Sequence, residues 1–213
     1  MRVTKHEHAL LSVRQGGETL VIDPGGFAPS LGDLGDVTAV VVTHEHPDHA
    51  DPRHLTELAE RFPDARMLTT TATAEAAPVP MTVVAPGDEV SAGVFRLRFF
   101  GGAHSEIHSS IPIIDNLGVL VNDALYYPGD SYALPGDAEV ALLAAPIGAP
   151  WLKIGEAMDF VLAARPRRAF GTHDATLSEI GLRMHRERLA WATEEHGGTF
   201  HPLDAGESIE VTA

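Results

Sequence analysis

Apolar and polar positions alternate along the chain in ways that divide it into short strands and a few helices. The run from Val37 to His44, VTAVVVTH, is apolar almost throughout and predicts a strand covered on both faces. ALLSVRQGGETLVIDPGG predicts two strands that turn at Gly16-Gly17, the second ending at Asp23-Pro24-Gly25. Asp51-Pro52 reads as a helix cap followed by a first-turn proline, opening a helix that runs through Arg61 and stops before Pro63. RMLTTTATAEAA predicts a short strand and helix. VFRLRFFGG has period two, which turns Arg96 and Arg98 to solvent.

GVLVNDALYYPGD and VALLAAPIG are further strand candidates, IGEAMDFVLAARP has helical spacing ended by Pro166, and RRAFGTH is a short strand. Thr176 and Glu179 have the spacing of a capping box for a long final helix, which closes near Gly197-Gly198 before a last strand in GESIEV. With no repeat, low-complexity stretch or linker, residues 1–213 read as one α/β layered domain.

Composition narrows the chemistry. The net charge of −15 disfavours nucleic-acid partners and anionic membrane surfaces. The absence of cysteine excludes disulfides, thiolate metal sites, iron–sulfur clusters and cysteine nucleophiles, so any metal must be held by His, Asp or Glu. The opening MRVTKHEHALLSV lacks the apolar stretch of a signal peptide and no run approaches a membrane span, so the expected location is cytoplasmic.

The predicted strands end on a particular set of residues: Asp23, His44, His104, Asp130 and His173. Polar residues just past strand ends converge at one edge of a sheet, where α/β folds build their sites. Within His44-Glu45-His46-Pro47-Asp48-His49, alternate positions can project to one side while the last two turn to a second point, so one loop can serve two ions. Three imidazoles beside two acidic residues cost desolvation unless something pairs with them, and a metal ion is the natural partner. His104 and His173 could complete two shells, with the Asp130 carboxylate shared between cations.

The pattern H-x-H-x-D-H followed by a later His, Asp and His resembles the signature of the metallo-β-lactamase-fold hydrolases, and it covers most of the chain, from VIDPGG to GTHDA. The resemblance implies a four-layer αββα sandwich with two divalent metal ions, zinc, manganese or iron. It places His44, His46 and His104 on one ion, Asp48, His49 and His173 on the other, Asp130 as the bridge, and Asp23 as a support that organises the loop. It also implies hydrolysis of a small-molecule substrate by a metal-bridging hydroxide, with Asp48 orienting that hydroxide.

HEHPDH, PGDS and APIG look most like the branch containing L-ascorbate-6-phosphate lactonase and N-acyl phosphatidylethanolamine phospholipase D, which points to a small, anionic ester, lactone or phosphodiester. KHEHALLSV is similar to that branch's opening motif, so His8 is either a residue of the substrate cleft, and then a candidate proton donor, or a turn histidine. His108 is a rival ligand or a partner to one. Asp174 either orients an imidazole or starts a helix, and Trp151 and Lys153 fit a pocket wall or a subunit contact in a homo-oligomer. Arg165, Arg167 and Arg168 suit a helix C-terminus or a phosphate, and His54, His185, His196 and His201 read as solvated. The rival functions are a di-iron oxidoreductase on the same fold, whose flavin-linked forms resemble a pattern with Glu where His46 stands, and a non-catalytic metal-binding protein.

Overall fold

A computed structural model describes residues 1–212. The elements run β1 (Arg2–Lys5), β2 (Leu11–Gln15), β3 (Glu18–Ile22), β4 (Asp36–Val41), α1 (Pro52–Arg61), β5 (Arg66–Thr69), α2 (Thr71–Ala76), β6 (Thr82–Val83), β7 (Glu89–Ala92) and β8 (Phe95–Gly101). They continue with β9 (Leu117–Val121), β10 (Leu125–Tyr127), β11 (Leu142–Pro146), α3 (Ile154–Ala164), β12 (Arg168–Thr172), α4 (Glu179–Glu194), β13 (Thr199–Phe200) and β14 (Ser208–Glu210). Two seven-stranded sheets result, ordered β14-β1-β2-β3-β4-β5-β6 and β13-β12-β11-β10-β9-β8-β7. Each is antiparallel at one side and parallel at the other, from β3 to β6 and from β10 to β13.

The period-two patterns explain the layering. In β4 and the residue after it, Ala39 and Val41 join the central cluster with Leu20 and Ile22, while Val40 and Val42 face the other way onto Leu55 and Leu58 of α1. In the second sheet, Leu97, Phe99, Val119 and Val121 fill the same central layer, while Leu120, Leu143 and Ala145 meet Phe160 and Val161 of α3 and Leu189 of α4 on the outer face. Helices therefore lie outside two sheets packed face to face, the αββα arrangement of the metallo-β-lactamase fold. Strands apolar on both faces are what such layers require.

Local details differ from the sequence pattern in three places. GVLVNDALYYPGD is two strands, because Asn122 and Asp123 both adopt left-handed φ (51° and 49°) and make a tight hairpin between β9 and β10. Helix α4 is capped by Ser178, whose hydroxyl accepts from the Gly181 amide; residues 174–177 form a turn first, so Thr176 has no capping role. The short strands β1, β6, β7 and β13 carry too little pattern to be anticipated. The Asp51 cap is as expected, its carboxylate accepting from the Arg53 and His54 amides.

Candidate metal centre

The segments after β3, β4, β8, β10 and β12 deliver Asp23, the 44–49 loop, His104, Asp130 and His173 to one edge of the sandwich. Their donor atoms fall into two groups: His44, His46, His104 and Asp130 in one, and His8, Asp48, His49 and His173 in the other. The 44–49 loop divides between them, His44 and His46 to the first and Asp48 and His49 to the second. Asp130 lies between both, 3.4 Å from His104 Nε2, 3.3 Å from His49 Nε2 and 3.1 Å from His173 Nε2.

Each of four imidazoles is tied down from behind. His49 Nδ1 donates to Asp23 Oδ2 at 2.7 Å, His104 Nδ1 to the Ser105 carbonyl at 2.5 Å, and His173 Nδ1 to the Gly148 carbonyl at 2.6 Å. The Thr43 hydroxyl spends its hydrogen on Asp23 Oδ2, so it accepts from His44 Nδ1 at 3.0 Å. With Nδ1 the donor in each ring, the Nε2 lone pair of the neutral imidazole points inward. His49 Nε2, His104 Nε2, His173 Nε2 and Asp130 Oδ1 are buried and make no hydrogen bond. Buried polar atoms are rarely left so, and four of them converging on one space fit a cation, as does the sulfur-free donor set. The His44 Nε2 and His46 Nδ1 atoms face each other at 3.0 Å.

Electrostatics agree. Burial lowers the pKa of His44 and His46. Burial also opposes charge on His49, but Asp130 and Asp23 outweigh it and raise that pKa; His173 is raised to about 9 in the same contest, with Asp130 and Asp48 winning. Burial would raise both carboxyls, yet His49 and its neighbours hold Asp130 well below the ordinary carboxylate range, and His173 and His8 do the same for Asp48. At His49 and His173 the neighbouring carboxylates thus favour a positive charge, which a cation can supply in place of the proton.

The chain around the site is closely fitted. Asp23 (φ 49°), His8 (φ 60°) and His173 (φ 58°) all sit in the left-handed region, at a cost of about 1–3 kcal/mol each. At Gly25 a Cβ would lie 1.6 Å from the Asp48 carbonyl oxygen, so only glycine lets the PGG segment pass under the 44–49 loop. Asn116, fully buried, accepts from the Asp130 amide through Oδ1, and Trp151 Nε1 donates to Asp130 Oδ2 at 2.8 Å.

Among the other sequence candidates, Trp151 walls the site. His8 is 1% exposed and its ring packs on His173 at 3.9 Å between centroids, with half-exposed Phe27 on its other side at 4.6 Å. His108 is exposed, bonded to Ser110, and belongs to neither group. Asp174 hydrogen-bonds no imidazole and caps no helix; its carboxylate pairs with Lys5. His54 is buried against the Pro24 carbonyl and so is not solvated, while His185 is half-buried and hydrogen-bonds the Ile147 carbonyl. Thr43, Asn116 and Lys5 escaped sequence reasoning. Only Thr43, adjacent to His44, carried any local signal. Among the described residues no helix is long and apolar enough to cross a membrane.

Comparison with known proteins gives the same answer as the geometry. Residues 2–173 match the family model described as the beta-lactamase superfamily domain. Protein Rv0786c of Mycobacterium tuberculosis is 35% identical over 198 residues, covering 91% of this chain and 93% of that one. Among solved structures, Igni18, a metallo hydrolase from the archaeon Ignicoccus hospitalis, superposes with a TM-score of 0.75 at 16% identity, over 100% of this chain and 98% of that one. CmlA, a diiron β-hydroxylase from Streptomyces venezuelae, gives 0.68 at 15% identity, over 98% of this chain and 54% of that one. With the fold, the divided histidine loop and the family match in agreement, the chain belongs to the beta-lactamase superfamily and carries its metallo-β-lactamase fold.

Proposed function

We propose that the protein is a hydrolase dependent on two divalent metal ions, acting on a small, anionic ester, lactone or phosphodiester. The observation that carries the reading is the set of imidazoles tied from behind whose inward nitrogens converge, unbonded, around Asp130. His44, His46 and His104 would hold one ion, Asp48, His49 and His173 the other, and Asp130 would bridge them. Zinc, manganese and iron all suit these donors. Such ions supply activated water at neutral pH and polarise a scissile carbonyl or phosphoryl oxygen.

The remaining work falls to the chain. Trp151 Nε1 holds one oxygen of Asp130 and so fixes the bridging carboxylate between the two groups. Asp48, the most open carboxylate of the cluster with its side chain 21% exposed, would orient attacking water. Phe27 gives the mouth an apolar rim next to His8. The two serine–histidine pairs, Ser12 with His6 and Ser110 with His108, belong to neither donor group, which favours direct attack by water over a covalent intermediate. A net charge of −15 makes a long polyanion a poor substrate, whereas a small anion would meet mainly the local cations.

The likeness to CmlA, at 15% identity, speaks for the fold alone and not for the oxidoreductase reading. His46 standing where the flavin-linked forms carry Glu favours the hydrolase. The metal-loaded protein should open model lactones or cleave bis(p-nitrophenyl) phosphate, lose that activity to chelator and regain it with manganese or zinc. Inertness toward all of these, with turnover supported instead by reduced iron and oxygen, would replace hydrolysis by oxidation.

A further inference from the structure

The second donor group is built against a part of the chain remote in sequence. Lys5, at the end of β1, is 2% exposed, and its ammonium sits 3.0 Å from Asp174, the residue after His173. Three residues on, the His8 carbonyl accepts the His173 amide at 2.8 Å, and His8 Nδ1 accepts the Ala175 amide at 3.2 Å. Residues 173, 174 and 175 are thus each held by the 5–8 segment, through three different chemistries.

The Ala175 contact also settles the His8 ring. An amide can only donate, so Nδ1 carries the lone pair and the proton of the neutral imidazole is on Nε2, which donates to Asp48 Oδ2 at 3.0 Å. That proton is directed at a carboxylate of the cluster and cannot face an ion at the same time. Burying an ammonium costs several kcal/mol before its partner repays it, and apolar pairs generally serve stability as well. A lysine buried here calls for a reason beyond stability. The left-handed φ at both His8 and His173 makes the same point, since strain of this kind persists only where surrounding contacts over-determine it.

We infer that the 5–8 segment is a positioning clamp for the second metal site: Lys5, through Asp174, and His8, through Ala175 and Asp48, together aim His173 and Asp48 at the second ion. The inference deepens the proposed function and rests on its two-metal reading. His8 is then a positioning residue and not the proton donor to the leaving group.

The test is a titration of metal-stripped protein with zinc against a chromophoric chelator, which reads the two affinities separately without reference to turnover. Lys5→Met/Asp174→Leu replaces the ion pair with an apolar pair of similar volume. His8→Asn tolerates the left-handed backbone and can still accept from Ala175, but is too short to reach Asp48; His8→Gln can place a donor where Nε2 stands. The double variant and His8→Asn should bind one of the two ions about 10–100-fold less tightly, leave the other ion's affinity within about threefold and, metal-stripped, melt near the temperature of metal-stripped wild type. His8→Gln should recover most of the loss. A wild type holding two ions, beside variants that hold both as tightly, would overturn the clamp and spare the metal reading. A wild type that binds no ion would overturn both.

Discussion

Asp23 shows how much of the centre depends on one carboxylate that faces no solvent. It accepts the Thr43 amide at 2.7 Å, the Thr43 hydroxyl at 2.8 Å and His49 Nδ1 at 2.7 Å. Asp23→Ala would leave a buried amide and a buried imidazole unpaired, a loss of about 1–3 kcal/mol for each group. In a chain of this size that should lower Tm by several degrees in a thermal melt, with weaker metal binding alongside. Asp130→Ala should cost activity more than Tm, because its Oδ1 bonds to nothing in the fold and only the Trp151 Nε1 donor loses a side-chain partner. Trp151→Phe keeps an aromatic ring but removes the Nε1 donor and part of the indole's bulk; kcat should fall about tenfold, a larger effect than the small loss in the melt. At this scale the sequence was informative where residue type and spacing carry chemistry, as in the 44–49 loop. It was silent on Lys5, Asn116 and the Trp151 bond, whose partners lie 169, 14 and 21 residues away. Asp174 was misread for the same reason: its neighbours suggested a helix start, and a distant lysine decides its role.

Between elements, glycine and turn geometry decide whether the loops can meet. Gly25→Ala would drive a methyl into the Asp48 carbonyl, and the 44–49 loop would have to shift. That variant should lose most of its metal in elemental analysis while circular dichroism stays near wild type, since both sheets are untouched. The capping of α1 is a separate matter. Asp51→Ala removes the acceptor for two amides and should cost about 1 kcal/mol of stability without a metal phenotype. The long apolar strands and α1 were legible because burial on both faces and a capped amphipathic run leave clear periods. The short β1, β6, β7 and β13 leave none, and Asn-Asp is a weaker hairpin signal than Asn-Gly, so β9 and β10 read as one segment.

For the whole molecule, the αββα layers bring segments from both halves of the chain to one edge, and the second donor group spans residues 8 to 173. A strand covered on both faces was visible in the run from Val37 to His44, but the four-layer arrangement came from the motif's resemblance and not from periodicity. Ions that bind only the folded chain stabilise it in proportion to their concentration over Kd, about 2.7 kcal/mol at a hundredfold excess. Chelation should therefore lower Tm by roughly 5–10 °C, reversibly, with zinc or manganese restoring it. The central claim, that two donor groups hold two ions, is tested most directly by the metal content of purified, reconstituted protein together with His44→Ala and His173→Ala. The account predicts two ions per wild-type chain and about one in each variant, one from each group. A wild type without metal, or variants whose occupancy equals that of the wild type, would contradict it.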